Sequence, residues 1–418
     1  MHRLAQALDA EWATLCFVNR LAPMRIACTA ALLALAVSLP GRAATSATPD
    51  TQSSTTWLGT LGKSAIAARL YRNDDGQAVG TYFYRSQGVD IGLVAQGKPG
   101  QYVECPLRGG NDQPAACDTP TGYWSIALNG DSASGTWRKT PQAAPLPVAL
   151  SRSAASCDNI FRTDKQQHAY ECLRADAPLR ATGRQSTSHD GALAWQFVEE
   201  KRSGASAPQL THAPNPAAMA AINRDLQKVL RSDINAALEA KPEGQGSCAT
   251  SIALANQRWF VVERGCEWDW PGAAHPSSSW ESTTYDVTSG SAVSWPAILR
   301  LPNPASSTFD YSKGRDIVSL ALRHAAAKHT RASNGDGDAD CAQLSLQSFD
   351  CKGTVCDNKD HDMKPSERGW EVDLSPHENG LFASFNTYAE VDRQCRGEGV
   401  TLPWSEVRPL LLAPRSFP

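Results

Sequence analysis

Two hydrophobic patterns divide the chain. Between residues 57 and 150, short alternating or aromatic-rich segments are separated by Gly- and Asn-containing turns. Turns at intervals of roughly ten residues predict an antiparallel β meander, closed into a small barrel or half-barrel. Beyond residue 190, one long segment repeats apolar residues every three or four positions and lies among further strand-like segments. The sequence therefore predicts an α+β protein, with a β domain first and a mixed domain second.

The strongest helical pattern runs from Ala217 to Ala240. Pro216 precedes it and Lys241-Pro242 follows it, which suits the two ends of a helix. Its apolar positions form a single stripe, and we expect this stripe to pack on an antiparallel sheet. The stripe consists of Ile222, Leu226, Val229, Leu230, Ile234, Ala237 and Leu238.

The stretch 272–299 predicts a strand, a tight turn and a short helix. The strand is expected over 280–287, with a turn at Thr288-Ser289-Gly290 and Ser294 as the cap of the helix. Four tryptophans lie between residues 268 and 295, dense enough that we expect at least one to be exposed, and in one interpretation they are the aromatic anchors of a recognition surface. In the alternative interpretation the tryptophans fill a core, and His-Pro fixes a tight connection. The candidate ligand-binding residues are His275, Trp268, Trp270, Trp280 and Trp295.

Four segments carry a resemblance to a known family. They are Ala221-Ile222-Asn223, the stretch 272–299, Gly380–Tyr388 and Thr401–Val407. In this order they resemble the extracytoplasmic domain of RsiV-type anti-sigma factors and PdaC-type deacetylases. The resemblance covers roughly residues 190–413 and implies one long helix packed on an antiparallel sheet. It also implies binding of a peptidoglycan fragment or a lysozyme-like protein. It does not imply deacetylase activity, because the deacetylase active site belongs to a separate module.

The first residues have the pattern of an export signal. Arg25 precedes an apolar run over 26–39, and small residues suit cleavage after Ala43. Such a run is short for a membrane span, so we expect no stable membrane anchor after cleavage. Met24 is an alternative start to Met1. The predicted divisions are leader and signal peptide 1–44, β domain 56–152, Cys-bounded connector 153–190 and α+β domain 191–415.

The cysteines that follow the signal are even in number, which in an exported chain indicates disulfides. Neighbours in sequence are the simplest partners: Cys105–Cys117, Cys157–Cys172 and Cys248–Cys266. Two bridges remain for the last four. Their pairing is open, with Cys341 joined to Cys351 or Cys356 and Cys395 in the other bridge. The complete set is Cys105, Cys117, Cys157, Cys172, Cys248, Cys266, Cys341, Cys351, Cys356 and Cys395.

One acidic loop has partial metal-site spacing. Asp336, Asp338 and Asp340 alternate as in a calcium-binding loop. An EF-hand requires Gly where Cys341 stands and Glu where Gln347 stands, so a solvated loop is the competing interpretation. We expect no cofactor.

Net charge and the motifs of the sequence reduce the number of function classes that suit this chain. The net charge of −3 and the scattered basic residues argue against a nucleic-acid-binding surface. Nucleophile elbows, zinc-protease motifs and phosphate loops are not found in the sequence. These features favour a non-catalytic binding module of the cell envelope, periplasmic or secreted. The alternative is a cell-wall hydrolase or a lysozyme inhibitor, with Glu263, Asp269, Glu281 and Asp286 as the nearest unassigned carboxylates.

Overall fold

The computed structural model describes most of the chain from residue 54 onward. The described residues belong to one compact unit, Asp50–Pro418. They are 54–73, 76–107, 117, 119–155, 169–241, 244–269, 276–302, 308–332, 339–357, 372–385, 395 and 397–412. The fold is α+β with antiparallel strand pairs, as predicted. None of the helices in these ranges combines the length and hydrophobicity that a membrane crossing requires.

The first part of the fold is a closed eight-stranded barrel. Each strand pairs with the next, and the last pairs with the first. The predicted β meander is therefore confirmed, in its fully closed form. The strands are β1 Thr55–Leu61, β2 Ser64–Arg72, β3 Ala78–Tyr84, β4 Ile91–Ala95, β5 Gln101–Cys105, β6 Gly122–Asn129, β7 Ser132–Arg138 and β8 Leu146–Arg152.

Alternation of side chains builds the barrel core. In β2, Ile66, Ala68 and Leu70 belong to the interior cluster, whereas Ala67 belongs to a cluster on the outside of the barrel. Side chains in a strand point alternately to its two faces, so the same sequence serves both clusters. The outer cluster includes Tyr170, from a helix that covers this side of the barrel.

The remaining strands form four small sheets. Their orders are β11-β10-β9, β12-β13-β14-β15, β16-β18-β17 and β19-β20-β21. The strands are β9 Leu179–Thr187, β10 Ala194–Glu200, β11 Ser206–His212, β12 Gln245–Ala255, β13 Trp259–Asp269, β14 Ser277–Asp286, β15 Ser291–Ala292, β16 Thr308–Asp310, β17 Cys351–Lys352, β18 Val355–Asp357, β19 Val372–His377, β20 Gly380–Phe385 and β21 Gly399–Pro403.

The described ranges contain helices of very different length. The predicted long helix is α2, and it begins one residue earlier than expected, at Pro216. The carboxamide oxygen of Asn215 accepts hydrogen bonds from the amides of Ala217 and Ala218, which caps its first turn. The helices are α1 Ala169–Ala175, α2 Pro216–Ala240, α3 Ile317–Ala332, α4 Ala339–Ser348 and α5 Trp404–Val407, with 3₁₀ turns at Trp295–Ala297 and Arg408–Leu410.

The β12–β15 sheet has a different neighbour on each face. On one face Phe260 and Val262 pack with Ile222 and Leu226 of α2. On the other, Trp259 and Val261 join the largest buried cluster, which includes residues of α3, β19 and β20. Strand β13 is thus covered on both faces, and successive residues of β13 serve different sides.

Four disulfides lie wholly within the described residues: Cys105–Cys117, Cys248–Cys266, Cys341–Cys395 and Cys351–Cys356. The first two were predicted. The pairing of Cys341 with Cys351 or Cys356 is wrong, because β17 and β18 form a tight hairpin that places Cys351 directly opposite Cys356. Cys172 is also disulfide-bonded, and its predicted partner Cys157 lies outside the described residues.

Two elements differ from the sequence-based expectation. Strand β9 lies inside the segment predicted as a connector, and α4 begins in the predicted acidic loop. Strand β9 is exposed along nearly its whole length, so its sequence has no alternation of apolar and polar residues. Helix α4 is fastened at Cys341, a long-range constraint that the local sequence does not reveal.

Candidate binding site

The predicted tryptophan surface is divided between different parts of the fold. Trp268 lies on the α2 side of β13, where its ring packs over Gly246 near Ala240. Trp280 lies on the opposite face, with its ring centroid 5.7 Å from that of Phe382. Trp295 packs against the large buried cluster. These three tryptophans do not share a surface.

Two of the predicted ligand-binding residues, Trp270 and His275, lie outside the described residues. The same is true of Asp336 and Asp338, while the backbone of Asp340 is in the first turn of α4. The calcium site and the role of His275 therefore stay predictions.

One concave surface near the candidate residues lies between α2 and β12–β14. We call it the α2 cleft, defined by Leu226, Val229, Asp233, Val262, Arg264 and Glu281. It is a small groove, open to solvent, with a cavity volume of about 20 Å³, which is room for a water-sized group. Both apolar and polar side chains line it.

The position of Arg264 in the α2 cleft follows from its strand. It lies on the same face of β13 as Val262, directly opposite Glu281 of β14. Its Nε donates to Asp233 Oδ2 at 2.9 Å, and its Nη2 donates to the other oxygen of the same carboxylate. Its Nη1 donates to Glu281 Oε1 at 2.5 Å. The guanidinium is therefore held on two sides, by a helix and by the neighbouring strand.

Burial perturbs the protonation of this group. Burial raises the pKa of Asp233, and its hydrogen bonds with Arg264 only partly oppose that effect. Burial lowers the pKa of Arg264, but the carboxylates of Asp233 and Glu281 together outweigh this effect, and the net shift is upward. Asp233 is 4% exposed whereas Glu281 is 53% exposed. The inner ion pair is thus a fixed part of the fold, and the outer one lies in solvent, where such pairs contribute little.

Tyr285 and two threonines complete the polar part of the cleft. The hydroxyl of Tyr285 donates to Asp225 Oδ2 at 2.8 Å, and burial, together with this carboxylate, raises the pKa of the phenol. Thr283 lines the open part of the cleft, and Thr250 donates its hydroxyl to the carbonyl of Ser206 at 2.9 Å. The cleft therefore offers neutral hydrogen-bonding groups beside its charged ones.

A second polar cluster lies on the other face of β13. Ser375 donates its hydroxyl to Glu263 Oε1 at 2.7 Å, and Nε2 of His377 lies 2.9 Å from the same oxygen. Burial raises the pKa of Glu263, and the contacts with His377 and Ser375 more than offset it, so the net shift is downward. Both partners bind the carboxylate, and the imidazole does not bridge to the serine. This is not the arrangement of a Ser-His-acid triad.

Glu104 is a buried carboxylate in the barrel interior. Its Oε1 accepts hydrogen bonds from Tyr82 at 2.6 Å, Trp124 at 3.0 Å and Trp137 at 2.5 Å. A Cβ at Gly122 would lie 2.3 Å from the other carboxylate oxygen, so this end of the barrel is closely packed. Glu104 satisfies the polar groups of the aromatic core.

The residues also limit metal and hydrolytic chemistry. Asp233 lies near Cys248 and Cys266, but these cysteines are joined to each other, so their sulfurs are not free thiolates. Glu263 and Glu281, both candidate carboxylates, lie on opposite faces of the β13–β14 pair. They cannot flank one glycosidic bond, as the two carboxylates of a glycosidase do.

The sequence pointed to Glu281 but missed its partners. Asp233 falls within the apolar stripe of α2, three residues after Leu230 and four before Ala237. A carboxylate at such a position needs a buried partner. This was the available signal; the identity of that partner, Arg264, depends on how α2 crosses the sheet.

Comparison with solved structures gives a weak likeness. No family model and no curated protein matches the chain. A solved structure of a DUF3298 family protein from Pseudomonas aeruginosa PAO1 is 11% identical, with a TM-score of 0.29. The match covers 57% of this chain and 96% of that chain. A likeness of this strength does not assign the chain to a family.

Proposed function

We propose that this protein is an exported binding module of the cell envelope, periplasmic or secreted, that recognises a peptidoglycan fragment without catalysing a reaction. Disulfides in both the barrel and the α+β part support export, because they persist in oxidising compartments. The signal-like pattern over 26–39 supports the same compartment.

The choice of ligand has its support in the sequence resemblance. The segments that resemble RsiV/PdaC-type extracytoplasmic domains include Ala221-Ile222-Asn223 in α2 and Gly380–Phe385, which forms β20. Such domains imply a peptidoglycan fragment or a lysozyme-like protein as partner. Of the two, a small fragment suits a concave groove better, since a protein partner usually buries a larger and flatter surface.

The observation that carries the proposal is the α2 cleft itself. Its apolar part is formed by Leu226, Val229 and Val262, and its polar part includes the exposed carboxylate of Glu281 and the Thr283 side chain. Sites for small molecules typically combine an apolar lining with a few polar groups that fix orientation. A sugar–peptide fragment presents both kinds of surface.

The test is direct binding to the full mature chain by calorimetry. A purified muropeptide is expected to bind saturably, and Thr283→Phe, which fills the cleft, is expected to abolish binding. Thr60→Phe is the matched control, because Thr60 is an exposed strand residue on the barrel. A chain that binds neither muropeptides nor lysozyme would overturn the proposal, and binding unaffected by Thr283→Phe would move the site elsewhere.

The same material tests the hydrolase alternative. Labelled peptidoglycan is incubated with the wild-type chain and with Glu263→Gln, because Glu263 is the half-buried carboxylate beside His377. No release of label is expected. Turnover that disappears in Glu263→Gln would favour a cell-wall hydrolase over a binding module.

A further inference from the structure

Three basic residues form a row on the outward face of α2. Arg224, Lys228 and Arg231 lie four and three residues apart, and positions with these spacings share one face of a helix. Arg224 and Arg231 are exposed, and Lys228 is partly exposed. At a rise of about 1.5 Å per residue, the row extends over about 10 Å of the helix axis. We call this row the basic ridge.

The basic ridge has no counter-charge within the described part of the chain. None of its three residues forms an ion pair or a side-chain hydrogen bond there. The carboxylates of α2 are held by other groups: Asp225 by Tyr285, Asp233 by Arg264 and Glu239 by Arg174. The next position on the same face, Asn235, is bonded to Arg174 of α1. The carboxylate of α1, Glu171, pairs with Arg69 at 2.8 Å. The described neighbours of the ridge therefore leave its positive charge unbalanced.

The basic ridge opposes the stability of α2. Like charges three or four residues apart repel each other and destabilise a helix. The packing of α2 does not use them, because the opposite face supplies its buried contacts, through Ile222, Leu226, Leu230 and Ile234. A local rule that is broken without structural compensation is typical of a functional site. The ridge therefore indicates a role in binding an anionic group.

The shape of the ridge indicates which anion fits. A row of cations on a rigid helix can contact several anionic groups of one chain at once, whereas a single ion meets only one or two of them. The guanidinium groups of Arg224 and Arg231 have forked donors that match phosphate oxygens. Recognition of a membrane surface usually takes about 4–8 basic residues. The next exposed positions of this face, Ala217 and Ala220, offer no large apolar side chain for insertion into a bilayer.

We propose that the basic ridge binds a linear phosphate-bearing polymer, which lies along the outward face of α2. Successive phosphates of the polymer contact Arg224, Lys228 and Arg231. This inference goes beyond the proposed function and does not depend on it. The α2 cleft uses Leu226 and Asp233, on the inner side of the same helix, so the two sites are separate.

The test uses the full mature chain and a short, fluorescently labelled chain of inorganic polyphosphate. Fluorescence anisotropy is expected to show saturable binding, and unlabelled orthophosphate should compete at least roughly tenfold more weakly per phosphate than unlabelled polyphosphate. With three phosphate contacts, the affinity should fall by roughly tenfold or more between about 50 and 200 mM salt. The proposed function is measured separately, with muropeptide.

A charge-matched pair of triple variants locates the site. Arg224→Gln/Lys228→Gln/Arg231→Gln should weaken polyphosphate binding at least roughly tenfold, which corresponds to the loss of most of the electrostatic contact. Glutamine is a good helix former, and the variant removes repulsion, so its urea midpoint should not fall. The control, Lys63→Gln/Lys98→Gln/Lys139→Gln, removes the same charge from exposed turns of the barrel and should bind as the wild type does.

The remaining outcomes would overturn the proposal. They are absence of polyphosphate binding, equal loss in the ridge variant and the control, and competition by orthophosphate as strong per phosphate as that by polyphosphate. Binding confined to phosphatidylglycerol vesicles would assign the ridge to a membrane surface instead. A marked preference for an oligonucleotide of equal charge would assign it to nucleic acid. Thr283→Phe should leave polyphosphate binding unchanged, so failure of the cleft proposal and failure of the ridge proposal are distinguishable.

Discussion

Replacing Arg174 by methionine tests how the barrel is joined to the rest of the fold. Arg174, in α1, is 1% exposed and forms an ion pair with Asp90, in the loop between β3 and β4. It also donates to Asn235 of α2 at 3.0 Å. Burial lowers the pKa of this guanidinium, but Asp90, Tyr170, Glu239 and Glu171 together outweigh the effect, and the net shift is upward. One side chain thus connects the barrel, α1 and α2.

The expected loss of stability follows from the charge that remains. In Arg174→Met, the carboxylate of Asp90 stays buried, at 7% exposure, and loses its ion pair. Its remaining described partner is the hydroxyl of Tyr170, which donates a hydrogen bond to it at 2.7 Å. Removing one partner of a buried ion pair costs about 3–5 kcal/mol. This is a large part of a typical free energy of unfolding, about 5–15 kcal/mol. With an m-value of about 3 kcal/mol/M, the urea midpoint should fall by about 1 M or more.

Urea unfolding of the oxidised protein, followed by tryptophan fluorescence, measures this loss. The double variant Arg174→Met/Asp90→Asn removes the unpaired charge. Its free energy of unfolding should exceed that of Arg174→Met by about 1–3 kcal/mol, because the two residues interact directly. Arg152→Met is the control, because Arg152 forms an exposed ion pair with Asp131 and should change the free energy by less than about 1 kcal/mol. A loss below about 1 kcal/mol in Arg174→Met, or a double variant no more stable than it, would refute the reasoning.

Two further predictions concern pH and disulfides. The pKa of Glu263 is depressed in the folded state, so its contribution to stability is present above the ordinary glutamate pKa of about 4.3 and is lost as pH falls below it. Glu263→Gln should therefore reduce the fall in the free energy of unfolding at acidic pH. An unchanged fall would contradict this prediction. Replacing Cys341 and Cys395 by serine opens a bridge with a sequence separation of 54 and should cost about 4 kcal/mol, against about 2 kcal/mol for Cys351 and Cys356 with a separation of 5. Thermal unfolding compares the two double variants, and the reverse order would contradict the loop-entropy argument.

Local patterns were sufficient for the barrel and for α2. The β meander follows from alternation between turns, and α2 follows from an apolar stripe between Pro216 and Lys241. Strand β9 was missed because an edge strand exposed on both faces has no alternating pattern. The pairing of Cys341 with Cys395 was missed because it depends on tertiary contacts far apart in sequence.

The candidate site was predicted less well, for a related reason. The tryptophans are close together in the sequence, which suggested that they share one surface. Residues separated by an even number of positions lie on the same face only within one strand, and this rule does not hold across the turn between two strands. Trp268 and Trp280 belong to different strands and lie on opposite faces of the sheet. The residues that line the α2 cleft come from a helix and four strands, and only the folded chain brings Asp233 to Arg264.

Helix α2 contacts Arg174, which connects it to the barrel, and it also lines the α2 cleft. The stability of the barrel contact therefore bears on binding in the cleft. Asn235 meets Arg174 on one side of the helix, while Asp233 meets Arg264 on another, two residues earlier. The barrel therefore fixes the helix at the same turn that forms the inner wall of the cleft. Since Arg174 lies outside the cleft lining, an effect of Arg174→Met on muropeptide affinity in the folded protein would have to pass through the position of α2. Such an effect would show that the barrel serves to hold this helix in its binding position.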